Sequence, residues 1–191
     1  MPWAAPQDPV TSDSLLSLFL ACLTADGATA AGSRVYKPGD WPAQSGQLPV
    51  IKLRILRENR QSAGRGTVMY TTTATIRVMG EVESYAEPDN AGAAAAEGAC
   101  WALKRQIEVA IVNSYALFMR IQQIASIDSQ LAYNSEGRTH VAAIIMDFAV
   151  EFFEDSDSFA AIAADDAADV LLSATNYAPD VPVSADISLN P

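Results

Sequence analysis

Residues 67–82 read TVMYTTTATIRVMGEV, and this stretch decides the fold. Its residues alternate between two sets, Tyr70, Thr72, Ala74, Ile76 and Val78 in one and Thr71, Thr73, Thr75 and Arg77 in the other. Because successive side chains of a β-strand point to opposite faces, the alternation predicts a strand with one buried and one solvated face. Residues 50–58, VIKLRILRE, alternate in the same way, and the turn-rich residues 59–66 between the two stretches predict a hairpin.

A second hairpin is predicted further along the chain. Residues 121–133 and 138–153 are apolar and rich in residues that favour strands. The sequence Asn-Ser-Glu-Gly at 134–137 separates them and is a strong turn signal.

Two segments have helical spacing. Residues 12–25 place an apolar face after a Thr11 or Ser12 cap and before Gly27, and the members of that face are Leu15, Leu16, Phe19, Leu20 and Leu23. The second segment begins after Asp89 or Asn90 as its cap and runs to about residue 112, with Cys100, Leu103, Ile107 and Ile111 on one side.

The predicted order is helix, two strands, helix, two strands, which predicts an α+β fold. We expect a four-stranded, largely antiparallel sheet with both helices on one face. Residues 28–48 have the Gly, Ser and Pro content of an irregular loop. The predicted division is an N-terminal extension (1–11), the α+β domain (12–154) and an extended acidic C-terminal arm (155–191), helical in part around residues 159–172.

Charge is strongly segregated along the chain, whose net charge is −11. Residues 34–77 carry eight Lys or Arg against two acidic residues, whereas residues 139–191 carry ten Asp or Glu and no Lys or Arg. Such segregation fits either a solvated surface that favours solubility or attraction between subunits. On the second interpretation, the residues expected to contact a neighbouring subunit or another assembly component are Arg54, Arg57, Arg60, Arg65, Asp165, Asp166 and Asp169.

The sequence offers little equipment for catalysis. His140 is the one histidine, and a lone histidine near the start of a strand is usually a structural residue. Cys22 and Cys100 lie in helical patterns without spaced partners, which predicts buried free thiols. No phosphate-binding, metal-binding or dinucleotide-binding motif is present, so we expect no catalytic, cofactor or metal site and no enzymatic activity.

Two further expectations concern location and nucleic acid. No apolar stretch approaches the roughly 20 residues of a membrane-spanning helix, and the Pro-rich first ten residues lack the features of a secretory signal, so we expect a soluble cytoplasmic protein. The basic hairpin lacks the interleaved aromatic residues of a single-strand binder, so sequence-specific nucleic-acid binding is not expected.

Five stretches, in their order along the chain, resemble the tail terminator family of tailed bacteriophages, also called tail completion or minor tail proteins. They are SLLSLFLACL, LPVIKLRILRE, TTTATIRVMGEVES, AAAAEGACWALKRQIEVAIV and THVAAIIMDFAVEFFED, and the resemblance spans roughly residues 12–154. The resemblance implies a virion protein, assembled in the host cytoplasm, that forms a hexameric ring on the end of the tail tube. Such a ring stops tube polymerisation, offers a surface for joining the head and lets DNA pass through.

The partners implied by the resemblance are further copies of the chain, the tail tube protein and a head-completion or connector protein. Two alternatives stay open at this point. One is a head-completion or connector protein of the neck, because proteins of that class share this order of elements. The other is a small-ligand binding domain or enzyme that uses the face of the sheet.

Overall fold

The computed structural model describes residues 9–37, 46–66, 68–85, 88–136 and 139–160. Its α-helices are α1 (Ser12–Thr24), α2 (Ala91–Val112) and α3 (Tyr115–Phe118). Its strands are β1 (Val35–Tyr36), β2 (Val50–Ser62), β3 (Tyr70–Tyr85), β4 (Gln123–Glu136) and β5 (Thr139–Glu154). Two single turns of 3₁₀-helix, Pro88–Asn90 and Asp157–Phe159, precede α2 and follow β5.

The described strands form one mixed sheet in the order β1-β2-β3-β5-β4. The predicted α+β class is confirmed, and the two hairpins, β2–β3 and β4–β5, are antiparallel as predicted. The prediction of four strands is wrong, because the structure has a fifth strand, β1, which runs parallel to β2. This two-residue strand lies in the segment predicted to be an irregular loop, since it is too short for any periodicity and forms through tertiary contact: Val35 is buried, and the Ile51 N–H donates to the Arg34 carbonyl at 2.9 Å.

The first hairpin is longer than the sequence predicts. Residues 59–62, predicted as loop, belong to β2 and pair with the start of β3, from Asn59 opposite Thr73 to Ser62 opposite Tyr70. Their side chains are polar and exposed, so no hydrophobic alternation marks them as strand. The predicted solvated position of Lys52 is also wrong, because its side chain is only 4% exposed and its Nζ lies 2.7 Å from Glu81 Oε1.

The core lies between the sheet and the two long helices. From α1, Phe19 meets Phe148 of β5 edge to face, with ring centroids 5.5 Å apart. From α2, Leu103 and Ile107 are fully buried, and both approach Gly80 of β3. Phe148 and Gly80 project to the same side of the sheet according to the strand register, so both helices cover one face.

The two helices begin in different ways. At α1 the predicted cap is confirmed: Thr11 Oγ1 accepts a hydrogen bond from the Ser14 N–H at 3.1 Å, and Ser14 Oγ accepts one from the Thr11 N–H at 2.9 Å. At α2 the cap position is Asn90, but its side chain makes no capping hydrogen bond and its backbone is left-handed, with φ 67°. Packing of α2 on the sheet, rather than side-chain capping, therefore accounts for where this helix starts.

Gly80 tests how closely α2 packs on the sheet. A Cβ atom there would lie 2.8 Å from Leu103 Cδ2 and 3.2 Å from Ile144 Cγ2, so we expect Gly80→Ala to lower the free energy of unfolding by about 1–3 kcal/mol. Gly98 makes a matched control, because a Cβ on this α2 residue would meet nothing within 4 Å. Gly98→Ala should therefore raise stability by about 0.5–1 kcal/mol in the same urea titration. Equal effects of the two substitutions would contradict this packing.

Candidate assembly surface

The second face of the sheet carries no described helix. It is formed by the side chains of β3 and β5 that alternate with the buried set, together with their neighbours on β2 and β4. Threonines, small apolar residues and charged residues share this face, and its central members are Thr73, Thr75, Arg77, Met79, Ala143, Ile145, Asp147 and Ala149. We call it the open face.

Four charged residues form a row across the open face. Arg54 of β2 lies opposite Arg77 of β3, Arg77 lies opposite Asp147 of β5, and Asp147 lies opposite Asp128 of β4. The two inner residues form a bidentate pair, in which Arg77 Nε and Nη2 each donate to a carboxylate oxygen of Asp147 at 2.7 Å. Hydrogen bonding to Asp147 raises the pKa of Arg77. From β2 to β4, the row carries two positive and then two negative charges.

A second polar cluster lies on the helix-covered face, near the end of β5. The Glu154 side chain is 5% exposed, and Arg60 donates to it from Nε at 2.7 Å and from Nη2 at 3.3 Å. Thr72 also donates to this carboxylate, while Ser12 of α1 donates to the adjacent Glu58. Burial opposes ionisation of Glu154, but the hydrogen bonds from Arg60 and Thr72 outweigh it, so the pKa of Glu154 is lowered. The cluster thus ties β2, β3 and the end of β5 together.

The structure distributes the predicted contact residues over several places. Arg54 and Arg57 are exposed on the open face, and Arg57 Nε donates to Thr75 Oγ1 at 3.3 Å. Arg65 is exposed at the tip of the first hairpin. Arg60 points to the other face and is paired with Glu154 within its own chain, and its contact with a neighbour stays a prediction. Asp165, Asp166 and Asp169, like the rest of the predicted arm beyond residue 160, lie outside the described residues.

The sequence does not indicate the charged row. The alternation places Arg77 on the solvated side of its strand, but its meeting with Asp147 and Asp128 depends on strand register, which no local pattern shows. A usable signal was present: Asp147 interrupts an apolar strand, as Arg77 does in the first hairpin, and a charge at such a position favours a partner on the neighbouring strand.

An apolar cleft lies between α1 and α3. Its volume is about 830 Å³, and Leu18, Tyr115 and Met119 form much of its wall, with Asp13 and Arg120 also lining it. Tyr115 is 77% exposed and Met119 58% exposed, so the apolar surface extends beyond the cleft. Exposed apolar surface of this kind is typical of contact sites for other molecules.

The residues considered for chemistry are separated. His140 is the second residue of β5, half-buried and opposite Ser84, as expected for a structural strand residue. Both cysteines are free thiols, as predicted: Cys100 is buried, whereas Cys22 is half-buried and its Sγ lies 3.0 Å from Ser114 Oγ. Within the described ranges, no three His, Cys, Asp or Glu side chains are grouped as metal ligands would be. None of the helices in those ranges is long and apolar enough to cross a membrane.

Comparison with known proteins adds no assignment. No protein-family model matches the chain, and a search of curated proteins gives no significant match.

The Glu154 cluster should make the free energy of unfolding depend on pH in the acidic range. Because the folded pKa of Glu154 is lowered, its contribution is present above the pKa of an unfolded glutamate, about 4.3, and is lost as the pH falls through the folded pKa. Glu154→Gln should lower the free energy of unfolding at pH 7 by about 1–2 kcal/mol and flatten its decline between pH 5 and 3 in urea titrations. Glu151→Gln, the same change on the open face, should keep that decline. An unaltered acid profile in Glu154→Gln would refute the role of the cluster.

The two thiols should differ in reactivity. Burial, with a smaller contribution from the charge of Glu97, raises the pKa of Cys100 to about 11, which leaves little reactive thiolate at pH 8. We expect iodoacetamide to label the half-buried Cys22 of the native protein and to label Cys100 only after unfolding, as read by peptide mass spectrometry. The variant Cys22→Ser should remain unlabelled in its native state. Rapid native labelling of that variant would show that Cys100 is accessible.

Proposed function

We propose that this protein is a structural component of a phage virion that forms a ring on the end of the tail tube. The ring, a hexamer in the proteins that the chain resembles, stops further addition of tube subunits and provides the surface to which the head is joined. The proposed location is the tail and neck of the virion, and the proposed partners are other copies of the chain, the tail tube protein and a connector protein.

One observation carries the proposal. The helices and hairpins of the resemblance occur in the expected order, and the described helices cover only one face of the sheet, which leaves a long face of mixed polarity and sheet edges without described neighbours. A sheet with free edges offers main-chain donors and acceptors to another protein. A protein whose task is repeated contact with identical copies needs such surfaces.

The physical task of a terminator is selective binding. The end of a growing tube recruits the next ring, so a terminator must match that end on one side and differ from a tube ring on the other. Subunits that repeat the same heterologous contact close into a ring when the rotation between them divides a full turn. In such a mechanism, capping is a binding reaction without turnover.

Two surfaces are the candidates for contact with the tube or connector. The first hairpin presents two exposed cations, Arg57 in the middle of β2 and Arg65 at the hairpin tip, and the α1–α3 cleft presents exposed Tyr115 and Met119. Charged contacts increase association rates and fix the choice of partner, whereas buried aromatic residues contribute most of the affinity. The two surfaces would therefore contribute differently to the rate of capping and to its persistence.

The proposal is tested by imaging the purified full-length protein with tail tubes and with portal rings of the same virus. Negative-stain electron microscopy should show rings, and the protein should occupy one end of the tubes and stop their elongation. Binding to portal rings but not to tubes would favour the neck connector instead. Persistent monomers that bind neither structure would overturn the proposal.

The hairpin arginines give a second test of the proposed assembly. Arg57→Glu with Arg65→Glu should reduce the fraction of protein in rings or on tube ends, and the loss should be larger at low salt, because exposed charges are screened at high salt. Arg60 is left unchanged, since its removal would leave Glu154 buried without its partner. Arg105→Glu, at a 76% exposed side chain of α2, is the matched control and should have little effect. If the unmodified protein, the double variant and the Arg105→Glu control assemble equally at every salt concentration, the hairpin arginines do not contribute to assembly.

A further inference from the structure

Both sides of the sheet end in backbone that no described strand covers. On one side, β4 is the outermost strand and runs for 14 residues. On the other, β1 covers only Ile51 and Lys52 of β2, so β2 from Leu53 onward has no described neighbour on that side. Natural proteins normally keep edge strands short or shield them, because an open edge pairs readily with another strand.

The outward backbone groups of β2 can be assigned from one hydrogen bond. The Ile51 N–H donates to the Arg34 carbonyl, so this residue directs its N–H away from β3. Because the direction of these groups alternates along a strand, Leu53 and Ile55 direct theirs to the same side. Arg54, whose side chain lies on the open face, is therefore flanked by two residues whose N–H groups point away from β3.

The charged row contains contacts that the isolated chain does not explain. Arg54 lies directly opposite Arg77, and Asp128 lies directly opposite Asp147, although like charges in these positions are destabilising. Only the inner residues form the ion pair. Arg54 has no side-chain partner in the part of the chain described, and the Asp128 carboxylate receives only a long hydrogen bond, 3.4 Å, from Ser126 Oγ.

We propose that β4 of one copy pairs with β2 of the next copy, and that Asp128 of the first forms an ion pair with Arg54 of the second. This inference rests on the proposed ring and names its subunit contact. It gives each exposed charge of the row an opposite charge, so the sequence of two positive and two negative residues repeats from copy to copy. The like-charge neighbours within a chain then serve the contact between chains.

The strand directions agree with this arrangement. In the sheet, β2 is antiparallel to β3, β3 to β5, and β5 to β4, so β2 and β4 run in opposite directions. A neighbour in the same orientation therefore presents its β2 antiparallel to β4, with the helices of both copies on the same side of the joined sheet. The contact is heterologous, so copies can close into a ring in which β4 around Asp128 pairs with the part of β2 that β1 leaves uncovered, from Leu53 onward.

A second copy fits these edges better than an unrelated peptide strand does. A peptide needs one open edge, but this chain has two, of opposite charge and compatible direction. Arg54 is exposed on the β2 edge and Asp128 on the β4 edge. Both lie on the open face and in the same charged row. Self-assembly uses all of these features together.

The test is a charge exchange in the full-length chain. Arg54→Asp and Asp128→Arg should each raise the dissociation constant of assembly by roughly tenfold or more, because each places like charges at the contact. An equimolar mixture of the two variants should recover assembly, since every contact between unlike copies then joins opposite charges, and so should the double variant. Sedimentation velocity measures the assembled fraction, with Arg105→Asp as the matched control that should assemble like the unmodified protein.

The thermal midpoint of each single variant separates this contact from a folding defect. Each reversal creates an opposite-charge pair within its own chain, with Arg77 or with Asp147, so neither should lower the thermal midpoint of the monomer. Assembly lost in the single variants and recovered in the mixture supports the contact.

Three results would overturn the contact. If the unmodified protein forms rings and the single variants form them equally well, the proposed contact is wrong but the proposed function is unaffected. If assembly is lost but the mixture does not recover it, the pairing of Arg54 with Asp128 is wrong. If the unmodified protein stays monomeric and its β4 binds an unrelated peptide strand but no second copy, both this contact and the proposed ring are wrong.

Discussion

The pairing of β3 with β5 is the interaction on which the rest of the structure depends. The two strands have 16 residues each and pair without a register shift from Tyr70 opposite Glu154 to Tyr85 opposite Thr139. Both strands alternate between buried and half-buried side chains, so an unbroken register places the fully buried apolar positions on one face. A slip of one residue in β3 would turn Ile76 and Val78 away from the helices, and a slip in β5 would turn Phe148 away. Either slip would separate Arg77 from Asp147.

The two faces created by this pairing have different physical roles. The covered face holds the core, where helix α2 approaches so closely that Gly80 leaves no room for a side chain. The open face carries both polar and apolar side chains, and the charged row crosses it. Stability therefore comes mainly from one face, which leaves the other free to carry charges that are unfavourable within one chain. We propose that those charges act between chains.

Sequence periodicity predicted the main elements because their burial is regular. Helix α1 and the central parts of β2, β3 and β5 were predicted from apolar spacing, and the structure places them near the expected bounds. Strand β1 and residues 59–62 could not be predicted in this way, because backbone pairing alone makes them strands. The short helix α3 also left no periodic signal.

The candidate site was less predictable than the fold. Composition indicates a basic hairpin, and Arg54, Arg57 and Arg65 are exposed there, but no local pattern indicates that Arg60 pairs with Glu154. That pair and the row from Arg54 to Asp128 depend on which strands are neighbours and in which register. The order β3-β5-β4 places β5, the last described strand along the chain, between β3 and β4, and local patterns do not contain that information.

The most direct test of the account is cryo-electron microscopy of the concentrated full-length protein. The account predicts a closed ring of identically oriented copies in which β4 of each subunit lies beside β2 of the next, with all helices on the same side of the joined sheets. Particles that are monomeric, or dimers related by a two-fold axis that brings β4 against β4, would contradict it.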